Sequence, residues 1–144
     1  MEKKHMEMTL GIVKPDGVDR NLTGEIIKRI EARDLRVVAL KMLKLQKSEA
    51  EQFYAVHRER PFFPSLTTYM ASGVIVAMVL EGNDTVKRYR ELMGATDPQK
   101  AIPGTIRSDF GVSIEQNTVH GSDSLESAVS EISFFFNRLE IMKR

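Results

Sequence analysis

No cysteine occurs among the 144 residues, which excludes disulfide staples and any metal site built on thiolates. An excess of one charge is missing too: 21 Lys plus Arg face 20 Asp plus Glu, a formal net charge of +1. That balance argues against dedicated nucleic-acid binding or membrane attachment, while a local basic cleft stays open. No apolar run reaches the ~18 residues of a membrane-crossing helix, and the longest, Val74 to Leu80, is strand-sized. The charged start, Met1-Glu2-Lys3-Lys4-His5-Met6-Glu7, has no apolar segment of the kind a secretion signal needs, so a cytoplasmic location is expected. Residues 1–7 are expected to form a disordered or tag-derived extension. The glycine loops that cradle phosphates in many nucleotide-binding folds, GxxxxGK[ST] and GxGxxG, are absent after the first strand. Repeats, low-complexity runs and linkers are absent as well.

What is present suits one compact domain over 1–144, with 42% hydrophobic residues to build a core. Met8 to Lys14 reads as a strand ended by Pro15, with Asp16-Gly17 as turn residues. Leu22, Ile26, Ile27 and Ile30 keep helical spacing, and Val37, Ala39, Leu43 and Leu45 alternate as one face of a second strand. Ser48-Glu49-Ala50-Glu51 has the form of a capping box opening a helix to about His57. A short helix is expected over Ser65 to Ala71, then a central strand over Val74 to Leu80, apolar on both faces. Asp84 is placed to cap a helix that stops at Gly94. Ala95 to Glu115 reads as a long loop, Thr118 to His120 as a short last strand, and Leu125, Ala128, Val129, Ile132, Phe135 and Phe136 as the inner stripe of a final helix. Alternation of this kind, taken alone, predicts a parallel doubly wound sheet.

Chemistry concentrates in Asn117-Thr118-Val119-His120-Gly121-Ser122-Asp123-Ser124. A neutral imidazole is a good nucleophile toward phosphorus once its other nitrogen is held by an acceptor. Glu131, eleven residues on and about three helical turns along, is such an acceptor if the last helix folds back on the strand. Ser122 and Asp123 lie where a helix N-terminus favours anions. Taken alone, His120 fits a hydrogen-bonded structural histidine beside a helix cap better than a nucleophile, because caps are common and ligands rare. Lys14 at a strand end, Arg90 in a helix leading into the long loop, and Thr96 and Arg107 within it would serve the oxygens of a triphosphate. Each by itself also reads as a solvated surface group. In Pro61-Phe62-Phe63-Pro64, Phe63 reads as buried and Phe62 as a platform for a nucleobase, blind to which base it carries.

The chain resembles the nucleoside diphosphate kinase family over nearly its whole length. Asn117 to Ser124 matches the active-site signature, supported by Lys14-Pro15-Asp16-Gly17, Arg60-Pro61-Phe62-Phe63, Gly94-Ala95-Thr96-Asp97-Pro98 and Pro103-Gly104-Thr105-Ile106-Arg107. The resemblance implies an α+β, ferredoxin-like four-stranded antiparallel sheet covered by helices, in place of the parallel sheet. It implies transfer of a γ-phosphate between nucleotides by a ping-pong cycle through phosphohistidine at His120. Lys14, Tyr54, Arg90, Thr96, Arg107 and Asn117 would hold phosphates and sugar, Phe62 would cover the base, and Ser122 and Glu131 would orient or polarise the histidine. Mg2+ would ride on the nucleotide phosphates, with Asp123 at most contacting it through water. Homo-oligomers, tetramers or hexamers, are implied, and the short tail after the last helix is like that of bacterial members. Ala95, where many members carry an acid, and Val74, where proline is frequent, depart from the pattern without touching a proposed catalytic role. Two other readings stand beside it: a phosphohistidine relay to protein targets, and a nucleotide-binding partner without turnover.

Overall fold

The computed structural model describes residues 6–144. In chain order the elements are β1 (Met6–Val13), α1 (Pro15–Asp19), α2 (Thr23–Ala32), β2 (Arg36–Leu43), α3 (Lys47–Phe53), α4 (Phe63–Met70), β3 (Ile75–Asn83), α5 (Thr85–Met93), α6 (Ile106–Phe110), β4 (Val119–Gly121) and α7 (Leu125–Phe135). Of the expected N-terminal extension, residues 1–5 lie outside the described residues, whereas Met6 and Glu7 belong to β1. No helix among the described residues is long and apolar enough to cross a membrane.

The four strands form one sheet in the order β2-β3-β1-β4. Each neighbouring pair is antiparallel, so the parallel arrangement suggested by alternation alone gives way to the ferredoxin-like one. Two apolar layers follow from the strand period. Leu10, Ile12, Ile75, Ala77 and Val79 face a core shared with Ala50, Tyr54, Phe63, Ala128, Ile132 and Phe135. Val13, Val76, Met78 and Leu80 face the opposite core, with Ile26, Ile30, Tyr89, Leu92 and Met93. β3 is therefore buried on both faces and lies between β2 and β1, as its continuous apolar run predicts.

Several local expectations are corrected. A bulge between Val37 and Ala39 breaks the alternation of β2, so Val38 and Ala39 enter one core while Val37 packs with the other. The capping box of α3 lies two residues earlier than expected: Gln46 is the N-cap, and its N–H donates to Glu49 Oε1 at 2.8 Å. That helix ends at Phe53, and a 3₁₀ turn over Ala55–His57 follows. Asp84 precedes α5 in the left-handed region, φ 51°, without a side-chain cap bond. Gly94, at φ 86°, does stop α5, a conformation that glycine adopts without a Cβ penalty. The expected loop over 95–115 contains a 3₁₀ turn at Pro98–Lys100 and the helix α6, capped by Thr105 Oγ1, which accepts from Ser108 N–H at 3.3 Å. In α7, Leu125 and Val129 turn outward, Val129 being 72% exposed, so the buried stripe narrows to Ala128, Ile132, Phe135 and Phe136.

The site depends on where β4 lies. It pairs with the C-terminal half of β1, with Ile12 opposite His120 and Val13 opposite Val119. A Cβ at Gly121 would stand 2.8 Å from the Tyr89 ring, so glycine lets α5 close against this edge of the sheet. α7 then runs back past the strand, as the His120–Glu131 spacing requires.

Candidate active site

His120 sits on the edge strand with its imidazole turned toward α7 and α3, 17% exposed. Its Nε2 lies 2.8 Å from Glu131 Oε1. A carboxylate only accepts, so Nε2 carries the hydrogen and Nδ1 keeps the lone pair. The same Glu131 oxygen accepts from Ser122 Oγ at 2.8 Å, and Ser122 Oγ in turn accepts from Leu10 N–H at 3.3 Å. Histidine, glutamate and serine thus form a chain anchored on the central strand β1. Two rings restrict the imidazole further: Phe53 at 5.4 Å and Tyr54 at 6.1 Å, both edge-on. Phe53 was not singled out in the sequence, where it looks like any apolar residue at a helix end.

The cations come from distant parts of the chain. Lys14 closes β1, 6% exposed, and its Nζ donates to Asn117 Oδ1 at 2.8 Å and to the Glu115 carbonyl at 3.4 Å. Burial, then the nearby Arg107 charge, pull its pKa down to about 7, against smaller upward pulls from Asp16 and Glu115. Asn117 passes the link on, its Nδ2 donating to the Thr96 carbonyl at 3.0 Å. Arg107 is buried in α6, donating from Nη1 to the Gly94 carbonyl at 3.1 Å and from Nη2 to the Val119 carbonyl at 2.9 Å. Its Nε and the Tyr54 hydroxyl are buried without a partner. Burial pulls the arginine below its ordinary pKa and pushes the tyrosine up, the latter aided by the Glu131 charge. The Tyr89 hydroxyl beside the same arginine is unmet as well, and three unmet donors in one neighbourhood suit a bound polyanion.

On the rim, Arg90 Nη1 and Asp123 Oδ1 form an ion pair at 2.8 Å, their side chains 44% and 72% exposed. Both are therefore occupied with each other. A cavity of about 770 Å³, lined by Lys87, Arg90, Lys100, Thr105 and Asp123 among others, opens beyond this pair, and neither Lys14, Phe62, Asn117 nor His120 lines it. Phe62, at the N-cap of α4, is 44% exposed with its ring 5.5 Å from His57, whereas Phe63 is buried. Ser65 Oγ donates to Glu115 Oε1 at 3.1 Å, tying the start of α4 to the segment that holds Lys14.

Thr118, between Asn117 and Val119, is fully buried with φ at 77°. For a β-branched residue this is strained backbone, costing about 1–3 kcal/mol. Nothing in the residue types around Thr118 signals it.

The model of the family described as nucleoside diphosphate kinase matches residues 7–141. The chain is 58% identical over 139 residues to a nucleoside diphosphate kinase of Desulfosudis oleivorans, covering 96% of this chain and 100% of that relative. Among solved structures, one of the Aquifex aeolicus nucleoside diphosphate kinase superposes with a TM-score of 0.94 at 46% identity, covering 96% and 100% of the two chains. A halophilic nucleoside diphosphate kinase from Halobacterium salinarum, in complex with CDP, gives 0.93 at 42% identity, covering 97% and 93%.

Proposed function

Because the chain belongs to the nucleoside diphosphate kinase family, we propose that it moves the γ-phosphate of a nucleoside triphosphate, typically ATP, to a nucleoside diphosphate through phosphohistidine at His120, with broad base tolerance. The observation that carries this reading is the orientation of the imidazole: Glu131 holds Nε2, so Nδ1 is the nucleophile. Its lone pair attacks the γ-phosphorus, the N–P bond forms as the β,γ-bridging P–O bond breaks, and the electron pair leaves with the diphosphate. The Nε2 proton stays on the ring, and Glu131, steadied by Ser122, stabilises the positive charge that the ring acquires. A second diphosphate then attacks the phosphohistidine through a terminal oxygen and reverses the step.

Lys14, Tyr54, Arg90, Thr96, Arg107 and Asn117 hold phosphates and sugar in this scheme. The unmet Tyr54 hydroxyl and Arg107 Nε favour it, and Arg90 exchanges its Asp123 partner for phosphate. Among the described residues no group of three or more His, Cys, Asp or Glu is arranged to hold a metal; a cation carried by the phosphates asks the protein for one carboxylate at most. Asp123 fits that role, through water. Mg2+ bound in this way supplies neutralising charge on the phosphate oxygens.

We place the protein in the cytoplasm as a homo-oligomer, a tetramer or hexamer. The edge strand β2, with Leu40 54% and Met42 66% exposed, favours burial against a second copy.

Incubation with γ-labelled ATP and magnesium is expected to leave acid-labile, base-stable label on the protein, discharged by added GDP. Label that no diphosphate removes would point instead to a relay toward protein targets, and no label at all to a binding partner without turnover. Phe62→Ala is expected to weaken nucleotide binding by about 1–3 kcal/mol to a similar degree for every base. Equilibrium titration with purine and pyrimidine nucleotides checks this, and a loss confined to one base would refute the stacking role.

A further inference from the structure

Asp16 belongs to the Lys14-Pro15-Asp16-Gly17 segment, and no step above uses it. It is half-buried in α1, and its carboxylate is engaged on both oxygens. Oδ1 accepts from the Tyr69 hydroxyl, Oδ2 accepts from Thr118 Oγ1 at 3.1 Å, and the Asp16 N–H donates to the same Tyr69 oxygen at 3.0 Å. These partners come from different walls of the site. Tyr69 lies on α4, whose N-cap is Phe62. Thr118 joins Asn117 to the strand carrying His120, and its carbonyl accepts from Lys14 N–H at 2.9 Å.

Thr118 is a β-branched residue in the left-handed region, at φ 77°, which its Cβ disfavours, while the Val119 N–H closes the turn across it by donating to the Asn117 carbonyl at 2.9 Å. Asn117, just before it, must nevertheless aim Oδ1 at Lys14 Nζ, 2.8 Å away. A relaxed Thr118 would turn the asparagine and the start of β4 together.

The geometry points to Asp16 as a positioning residue for phosphoryl transfer: by holding the Thr118 hydroxyl it keeps the backbone twist that aims Asn117 at Lys14 and sets His120 on its strand. This rests on the kinase reading of the site. Asp16 acts through other groups and has no direct role in the reaction, and its tie to Tyr69 adds the Phe62-bearing helix to the same unit.

The test uses the full chain as Asp16→Ala, Asp16→Asn and Asp16→Ala combined with Thr118→Gly, beside the unaltered protein. Asp16→Ala is expected to lower kcat/KM about 100-fold, mainly through kcat, the scale of a displacement of about 1 Å in a reacting geometry. Amide hydrogen exchange over residues 117–120 should rise by about tenfold or more, since the segment then opens locally. Glycine adopts positive φ without strain, so adding Thr118→Gly should recover at least about tenfold of the lost activity and most of the exchange protection. Asp16→Asn keeps one acceptor and one donor for two hydroxyls able to play either part, and should stay within about fivefold of the unaltered protein. The inference is overturned if Asp16→Ala leaves activity and exchange unchanged, or if Thr118→Gly restores neither. Should the unaltered protein transfer no phosphate while the exchange pattern holds, the kinase reading falls and the positioning of 117–120 by Asp16 stands.

Discussion

His120→Ala is expected to lower phosphate transfer by at least about 10⁵-fold, the scale seen when a covalent nucleophile is deleted from an organised site. Nucleotide affinity should stay within about threefold, because the imidazole acts on the transferring phosphorus and contributes little uniform binding. The separation of the two effects follows from the layout. Lys14, Asn117 and Thr96 are linked to one another, and Arg107 is fixed by the Gly94 and Val119 carbonyls, none of them through the imidazole. Glu131 keeps its bond from Ser122 when the ring is gone, so the half-buried carboxylate is not stranded. Steady-state turnover with ATP and a second diphosphate, paired with an equilibrium titration, measures both quantities on one preparation. A histidine whose task is structural would behave differently, with binding and thermal stability falling together. That outcome, or residual turnover within about a hundredfold of the starting enzyme, would remove His120 as nucleophile.

The pairing of His120 with Glu131 was legible because both ends of it are local. A strand end, a turn and about two helical turns put the two side chains side by side, and the observed 2.8 Å contact follows. Ser122 and the exposure of Phe62 against the burial of Phe63 were readable for the same reason. Lys14 and Asn117, in contrast, are separated by 103 positions. Nothing in either segment says that β1 and β4 are neighbours, and the alternation of elements by itself suggested parallel pairing. The family likeness supplied the antiparallel order, which the register of Gly11 with Gly121 makes concrete. What stayed hidden are features decided by tertiary packing: the extra residue at Val38, the outward turn of Val129, the twist of Thr118 and the edge of Phe53 against the imidazole. In each, a residue of ordinary propensity is placed by partners far away in sequence.

Lys14→Met should separate what this lysine contributes to catalysis from what it does to folding. Methionine keeps the length of the stem without the charge, and loss of a buried cation aimed at developing phosphate charge is expected to lower kcat/KM by about 10³-fold. Stability should respond in a pH-dependent sense. In the native protein the ammonium titrates at about 7, against 10.5 when unburied, so between those values the unfolded chain holds a proton that the native one has released. Native stability therefore rises as pH goes from about 6 to about 10. Above that range Tyr54, Tyr69 and Tyr89, all raised by burial first, keep protons that the unfolded chain gives up, and stability falls again. At pH 6 the burden of the buried charge is roughly 5 kcal/mol, at ~1.36 kcal/mol per pH unit. Removing it exceeds the ~1–3 kcal/mol lost by leaving Asn117 Oδ1 without its donor, so the variant is the more stable protein there. At pH 9 the native amine is neutral and still serves Asn117, and the remaining burden, about 2 kcal/mol for releasing the proton that the unfolded chain still holds, has come down to the size of that lost bond, so the two stabilities converge there and cross as pH approaches 10. Urea unfolding of both proteins at pH 6, 7.5, 9 and 10 follows the convergence and the crossing, and two curves that stay parallel would show that Lys14 folds with its ordinary pKa. Bound polyphosphate works against the same burial: its charge returns the proton to Lys14, so above pH 7 nucleotide binding takes up a proton in the unaltered protein and none at this position in the variant. Calorimetric binding enthalpies in buffers of different ionisation heat distinguish the two, and they tie the energy held in the buried lysine to the anion that the site is built to receive.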